Sequence, residues 1–141
     1  MTRLEYNSLI PSRFLIVSSH LLVLLTVFWS REENIKACLE LSYSDENYKR
    51  KDTEFLVGVS LALIFLLTEI IGFFGGMSTY CQSQALFSIV THSLGTIAMS
   101  YFIADSWDCD LFWWIFCFSS VMPGITEIVI IMQVLGMNKY T

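Results

Sequence analysis

The chain has 141 residues, 55% of them hydrophobic and 15% aromatic, and its eight basic and thirteen acidic side chains leave a net charge of -5. A soluble domain of this size needs far more charge to cover its surface, so the composition points to a membrane protein. The acidic balance excludes nucleic acid as a partner, because phosphate binding requires a basic face.

Four apolar stretches, at about 14–29, 55–77, 86–104 and 111–135, predict an all-α membrane protein with four transmembrane helices in two hairpins, one bundle over residues 1–141. At roughly 1.5 Å per residue the first stretch just crosses a ~30 Å hydrocarbon core and the others cross with room for tilt. Residues 1–12 are expected to form a short polar arm, with Ser12 after Pro11 as the N-cap of the first span. Arg3 and Arg13 before a short apolar run give it a superficial likeness to a signal peptide. Its C-terminal flank, Phe28-Trp29-Ser30-Arg31, lacks the small residues of a cleavage site, so a retained helix is expected. No lipid-anchor or retrieval motif can be read.

The loop 30–54 concentrates charge, with Arg31, Lys36, Lys49, Arg50 and Lys51 among seven acids. Within it, Ser44-Asp45-Glu46-Asn47-Tyr48-Lys49-Arg50-Lys51 places acids after a capping Ser and bases a turn later, the order a helix dipole favours. This reads either as a short interfacial helix leading into the second span or as a solvated charged loop. The connection 78–85 is uncharged and is expected to be a tight turn; 105–110 is acidic around Trp107. Trp29, Trp107, Trp113 and Trp114 are expected to form an interfacial belt on one membrane face. Positive-charge counting favours the long loop inside. The acids beside those bases, and the acidic third loop on the same side, argue instead for both termini in the cytosol, which is the orientation expected.

Short matches recur between the halves. Ile16-Val17-Ser18-Ser19-His20 pairs with Ile89-Val90-Thr91-His92, and Thr68-Glu69-Ile70 with Thr126-Glu127-Ile128, suggesting a duplicated hairpin that reads His then Glu. By rise per residue, His20, Glu69, His92 and Glu127 fall about 9 to 12 Å in from the same membrane face and can form one polar layer. An ionisable residue inside a span faces protein or a cavity, because lipid cannot solvate it. The preferred reading of the layer is helix glue, in which each His donates to a Glu, or Thr68 and Thr126 help satisfy the acids, at about 0.6 to 2 kcal/mol per bond. A proton or ion path is the alternative. A metal site is disfavoured, because no Glu-x-x-His pair occurs.

Gly72 and Gly76 form a G-x-x-x-G beside Glu69 and are expected at a close helix-packing face. Pro123 before Gly124 is expected to kink the fourth helix three residues ahead of Glu127. Cys38 and Cys109 fall on one side of the membrane, where they pair in a disulfide if that side is oxidising and otherwise remain two thiols. Cys81 lies in the turn on the other face, open to acylation, and Cys117 is expected to pack inside a span. There is no nucleophile–base motif and no phosphate loop, so neither catalytic nor cofactor-binding residues are assigned, and no cofactor is expected.

Several residue groups, taken in order along the chain, carry a resemblance. They are Pro11-Ser12-Arg13-Phe14-Leu15; Phe28-Trp29-Ser30-Arg31 with Asn34-Ile35 and Ala37-Cys38-Leu39; Glu69 with Gly72-Phe73; Gln84, Leu86 and Ser88-Ile89; His92; Trp107 with Cys109; Trp114-Ile115-Phe116; and Pro123 with Thr126-Glu127. In this order the set resembles the transmembrane protein 107 family over nearly the whole chain. The resemblance implies a membrane component of the ciliary transition zone. There it works with other transition-zone membrane proteins of the Meckel syndrome module, supports cilium formation and helps control ciliary membrane composition. It supplies no catalytic or ligand residues to carry over. The expected function is therefore a membrane scaffold in contact with lipid and those partners, with a small proton or ion transporter using the His/Glu layer as the alternative.

Overall fold

The computed structural model describes residues 3–139, with the side chains of 7–139. It is all-helical, as expected: α1 (Arg3–Trp29), α2 (Arg31–Cys38), α3 (Asp45–Phe74), α4 (Gln82–Ala104), α5 (Cys109–Phe116), a π-helical turn (Cys117–Val121) and α6 (Met122–Asn138). Four helical stretches are long and apolar enough to cross a membrane: Asn7–Trp29, Asp45–Phe74, Gln82–Ala104 and Cys109–Asn138. The protein is thus a multi-pass helical membrane protein.

The helices pack as two hairpins side by side. α1 runs along α4, α3 runs along α6, and α1 also meets α3. Corresponding spans of the two halves therefore face each other. The buried positions of α3, Phe55, Gly58, Val59, Ala62, Leu66, Glu69 and Gly72, recur at the three- and four-residue spacing of one helix face. Large apolar side chains such as Leu15, Leu22, Ile71 and Met132 point outward, the inverse of a soluble protein.

The bundle interior has two unlike halves. Toward the α2 side it is apolar, filled by Leu24, Val27, Ile35, Phe55, Met99, Phe102 and Phe112. Phe55 stacks on Phe102 with ring centroids 6.1 Å apart and meets Phe112 at 4.6 Å. Toward the termini it is polar. Three glycines permit close approach: an added Cβ would lie 2.7 Å from Phe112 at Gly58, 2.3 Å from Ser119 at Gly95 and 2.5 Å from Phe65 at Gly124.

Several boundaries differ from the sequence expectation. Residues 3–12 are helical and Pro11 lies inside α1, so no polar arm precedes the span; residues 1 and 2 lie outside the described residues. Ser12 is not a cap, because its hydroxyl donates to the Ser8 carbonyl one turn back at 2.7 Å. The long loop contains α2, whose Glu32 and Glu33 open the helix and whose Lys36 closes it, in the sense the dipole favours. Ser44 does cap, accepting from the Asn47 backbone N–H at 3.2 Å, but it starts α3 itself, which runs unbroken into the span. The break in the fourth span precedes Pro123. A proline removes the bond to the carbonyl four residues back and crowds it, here that of Ser119, and the helix widens into the π turn over Cys117–Val121. Of the four tryptophans, Trp29 and Trp114 are exposed and Trp113 is partly so, whereas Trp107 packs against the core and stacks on Tyr101 at 6.2 Å.

The α2 end is tied together covalently and by charge. Cys38 and Cys109 are joined in a disulfide across 71 residues of chain. Arg31 pairs with Asp52 at 2.9 Å and Lys51 with Asp110 at 3.4 Å. Cys81 and Cys117 are free thiols. Cys117 does not pack in the interior as expected but lies on the outer surface of its span.

Candidate functional site

The polar half of the interior is built around Arg13, which is 1% exposed although it carries a full charge. It lies six residues after Asn7, about 9 Å along α1, so its head is inside the bundle rather than at the surface. Its guanidinium reaches three elements. Nη2 donates to Glu69 Oε1 of α3 at 3.1 Å and to Glu127 Oε2 of α6 at 3.0 Å. Nη1 donates to the carbonyl of Ser78 at 3.3 Å and to its hydroxyl at 3.1 Å, in the turn between α3 and α4. The cation also sits 5.3 Å from the centre of the Phe73 ring, whose face is the negative end of its quadrupole.

α4 supplies the remaining donors. His92 Nε2 donates to Glu69 Oε2 at 2.6 Å, and the Ser88 hydroxyl donates to Glu69 Oε1. Gln84 Nε2 donates to Glu127 Oε2 at 3.0 Å. A single network thus joins α1, α3, α4 and α6. In a low-dielectric interior such a network is costly to leave half satisfied, because each orphaned charge keeps its full desolvation penalty. The network therefore favours one register of the four helices over slipped alternatives.

Gly72 follows Glu69 by one turn and makes room for the second acid. A Cβ there would lie 1.9 Å from Glu127 Oε1, so only glycine lets that carboxylate lie against the α3 backbone. His20 extends the polar track inward. Its ring lies 4.8 Å from that of His92 and its Nδ1 pairs with Thr96 Oγ1 at 3.2 Å. Ser119 is buried beside it against Gly95, with Ser120 next in the chain, and beyond them the interior is filled by apolar side chains, with Asn34 buried at the α2 end.

Of the expected layer, Glu69, His92 and Glu127 come together and His20 touches its edge. Only His92 donates to a Glu; His20 pairs with Thr96 instead. Thr68 and Thr126 do not satisfy the acids, since their hydroxyls donate to the carbonyls of Ile64 and Pro123 in their own helices. Gly72 is at a close packing face, but Gly76 is not. It lies past the end of α3 with φ of 73° and nothing within 4 Å of an added Cβ, so it serves the turn. Pro123 is buried at the start of α6, one turn ahead of Glu127. Among the described residues no cluster of His, Cys, Asp or Glu has the makings of a metal site.

Arg13, Ser78, Gln84 and Ser88 escape the sequence reading. Arg13 looks like a flanking charge, yet it precedes His20 by seven residues, two helical turns, and so shares its face. Gln84 and Ser88 precede His92 by eight and four residues, which is the same signal on α4.

The family model of the transmembrane protein TMEM107 matches residues 9–131, which include every member of this network. The chain is 38% identical to transmembrane protein 107 of Xenopus laevis over 133 residues, covering 94% of this chain and 95% of that protein. It is 39% identical to the Rattus norvegicus and Homo sapiens proteins of the same name over the same shares of both chains. No solved structure matches. With four apolar spans along the matched region and relatives aligned almost end to end, the chain belongs to the transmembrane protein 107 family.

Proposed function

We propose that the protein is a non-enzymatic membrane scaffold of the ciliary transition zone. In this reading it helps assemble the gate complex with other membrane proteins of the Meckel syndrome module, and so supports cilium formation and control of ciliary membrane composition. Membership of the family supports the setting, and the interior supports the mode of action. The observation that carries it is the commitment of every charged interior group to helix-to-helix bonds.

The alternative, a proton or ion transporter, draws on the same acids and histidines. It needs a polar route to the far side, and the track from Arg13 to Thr96 runs into the packed side chains of Leu24, Val27, Met99 and Phe102. The scaffold is oriented with both termini in the cytosol. The Cys38–Cys109 disulfide favours this, because the α2 side then faces an oxidising compartment.

A tagged copy expressed in a ciliated cell tests the setting. A band between basal-body and axonemal markers is expected, with cilia reduced on deletion. Uniform signal over the plasma membrane or reticulum, with cilia unaffected by deletion, would remove the gate scaffold and bring the transporter forward.

A further inference from the structure

The loop between α2 and α3 takes no part in the buried network. Residues 40–47, Glu40-Leu41-Ser42-Tyr43-Ser44-Asp45-Glu46-Asn47, are all exposed, the longest such run among the described residues, and 39–44 are non-helical. Cys38 with its disulfide fixes one end of the loop and α3 fixes the other. A polar loop tip held out in this way presents its side chains to enzymes. The disulfide also limits which enzymes those are. With both termini in the cytosol, the orientation of the proposed scaffold on which this inference rests, the loop lies in the oxidising compartment and meets the transferases of the secretory route.

Tyr43 is the acceptor this loop offers. It is 40% exposed, its ring lies against that of Tyr48 with centroids 6.0 Å apart, and its hydroxyl has no hydrogen-bond partner among the described residues. Ser44 is already engaged, its hydroxyl accepting from the Asn47 N–H at 3.2 Å as the cap of α3. Glu40, Asp45 and Glu46 stand within three residues of Tyr43, with no base among them. The bases of this side pair instead with Glu32, Asp52, Glu54 and Asp110, so those three acids stay free. An enzyme that moves an anionic group from an anionic donor needs a basic active site, and free acids beside the acceptor complement it. Tyr48 is the contrast on the same side. It lies within α3, is half-buried against the core, and is followed by Lys49-Arg50-Lys51.

We propose that Tyr43 is a tyrosine sulfation site. The phenol oxygen attacks the sulfur of an adenylyl phosphosulfate donor. A new O–S bond forms as the bond from sulfur to the donor's phosphate oxygen breaks. The nucleotide leaves with that electron pair, and the phenol proton passes to a base of the transferase, so nothing is oxidised or reduced. The sulfate places a negative charge one residue before the Ser44 cap, at the positive end of the α3 dipole, where the fold tolerates it.

Mass spectrometry of the full chain, tagged and purified from a ciliated cell line, tests this on the tryptic peptide 37–49. A sulfotyrosine-bearing secreted protein of the same cells is the positive control. The increment of one sulfuryl group is expected on Tyr43, resistant to phosphatase and lost when chlorate blocks synthesis of the donor. Tyr43→Phe should abolish it and Tyr48→Phe should leave it unchanged. Glu40→Gln with Glu46→Gln should cut its occupancy several-fold. An intact Cys38–Cys109 bond with no increment on Tyr43 would overturn the site while the orientation stands. An increment that phosphatase removes, or one carried equally by Tyr48, would overturn it as well. Free Cys38 and Cys109 thiols in the cell would overturn the orientation and the site together. The first comparison uses the unaltered chain, so it decides the matter even if a variant fails to fold.

Discussion

Arg13→Met removes the cation that both buried acids share, at 3.1 Å and 3.0 Å, and leaves the Met side chain to fill most of the space. Glu69 keeps His92 and Ser88, and Glu127 keeps Gln84 and the Ser78 hydroxyl, all of them neutral or shared partners that do not replace the lost cation. Breaking a buried pair by deleting one partner costs about 3–5 kcal/mol, because the surviving charge stays desolvated without compensation. At roughly 1.4 kcal/mol per tenfold, that is at least a hundredfold shift toward the unfolded or misassembled form. Removing the charges together should behave differently. Arg13→Met combined with Glu69→Gln and Glu127→Gln leaves no buried ion among the three, and such replacements are often neutral. The expected pattern is strong non-additivity: the triple variant recovers most of what the single variant loses. Equilibrium unfolding in nanodiscs, followed by tryptophan fluorescence, measures it. A single variant within about 1 kcal/mol of the parent, or a triple variant no better than the single, would mean that the Arg13 charge does not hold the two acids in place.

Gly72→Ala drives a methyl group into Glu127 Oε1 and should cost about 1–3 kcal/mol, whereas Gly136→Ala, with open space around it, should cost nothing measurable; paired thermal melts compare them. Cys38→Ser with Cys109→Ser should lower stability by about 2–4 kcal/mol, and in cells the parent chain should take up maleimide-polymer at these positions only after reduction. The Glu32 carboxyl is held below its ordinary value of 4.5 by the hydrogen bond from Lys36. Its small contribution is therefore present above that value and lost as pH falls through the lowered one. Because the pair is fully exposed, Glu32→Gln should leave the melting temperature unchanged at neutral pH, as side-by-side melts can verify.

The helices were legible in the sequence because span length and hydropathy depend only on local composition, and lipid requires every span to satisfy its own backbone. Glu69, His92 and Glu127 were legible for a related reason, since an ionisable group in a span must find a protein partner. The partner itself was not. Arg13 lies near the end of α1, where a basic residue ordinarily reaches the headgroups, and only the two-turn spacing to His20 hints that it turns inward. Gly76 misled because the G-x-x-x-G spacing assumes a continuous helix, while Gly75-Gly76 ends this one. The helix α2 was hidden by its polarity. Buried Ile35 and the disulfide at Cys38 hold it in place, and those are tertiary facts. The π turn depends on how Pro123 crowds the preceding turn, which a sequence marks only as an irregularity to come.

In the proposed scaffold the buried charges bind helices to one another and conduct nothing. Purified protein in sealed vesicles loaded with a pH-sensitive dye tests it most directly, under an imposed proton gradient of either direction and with or without a membrane potential. Leak rates equal to those of protein-free vesicles are expected for the parent chain and for Glu69→Gln alike. A flux above that baseline that Glu69→Gln abolishes would contradict it.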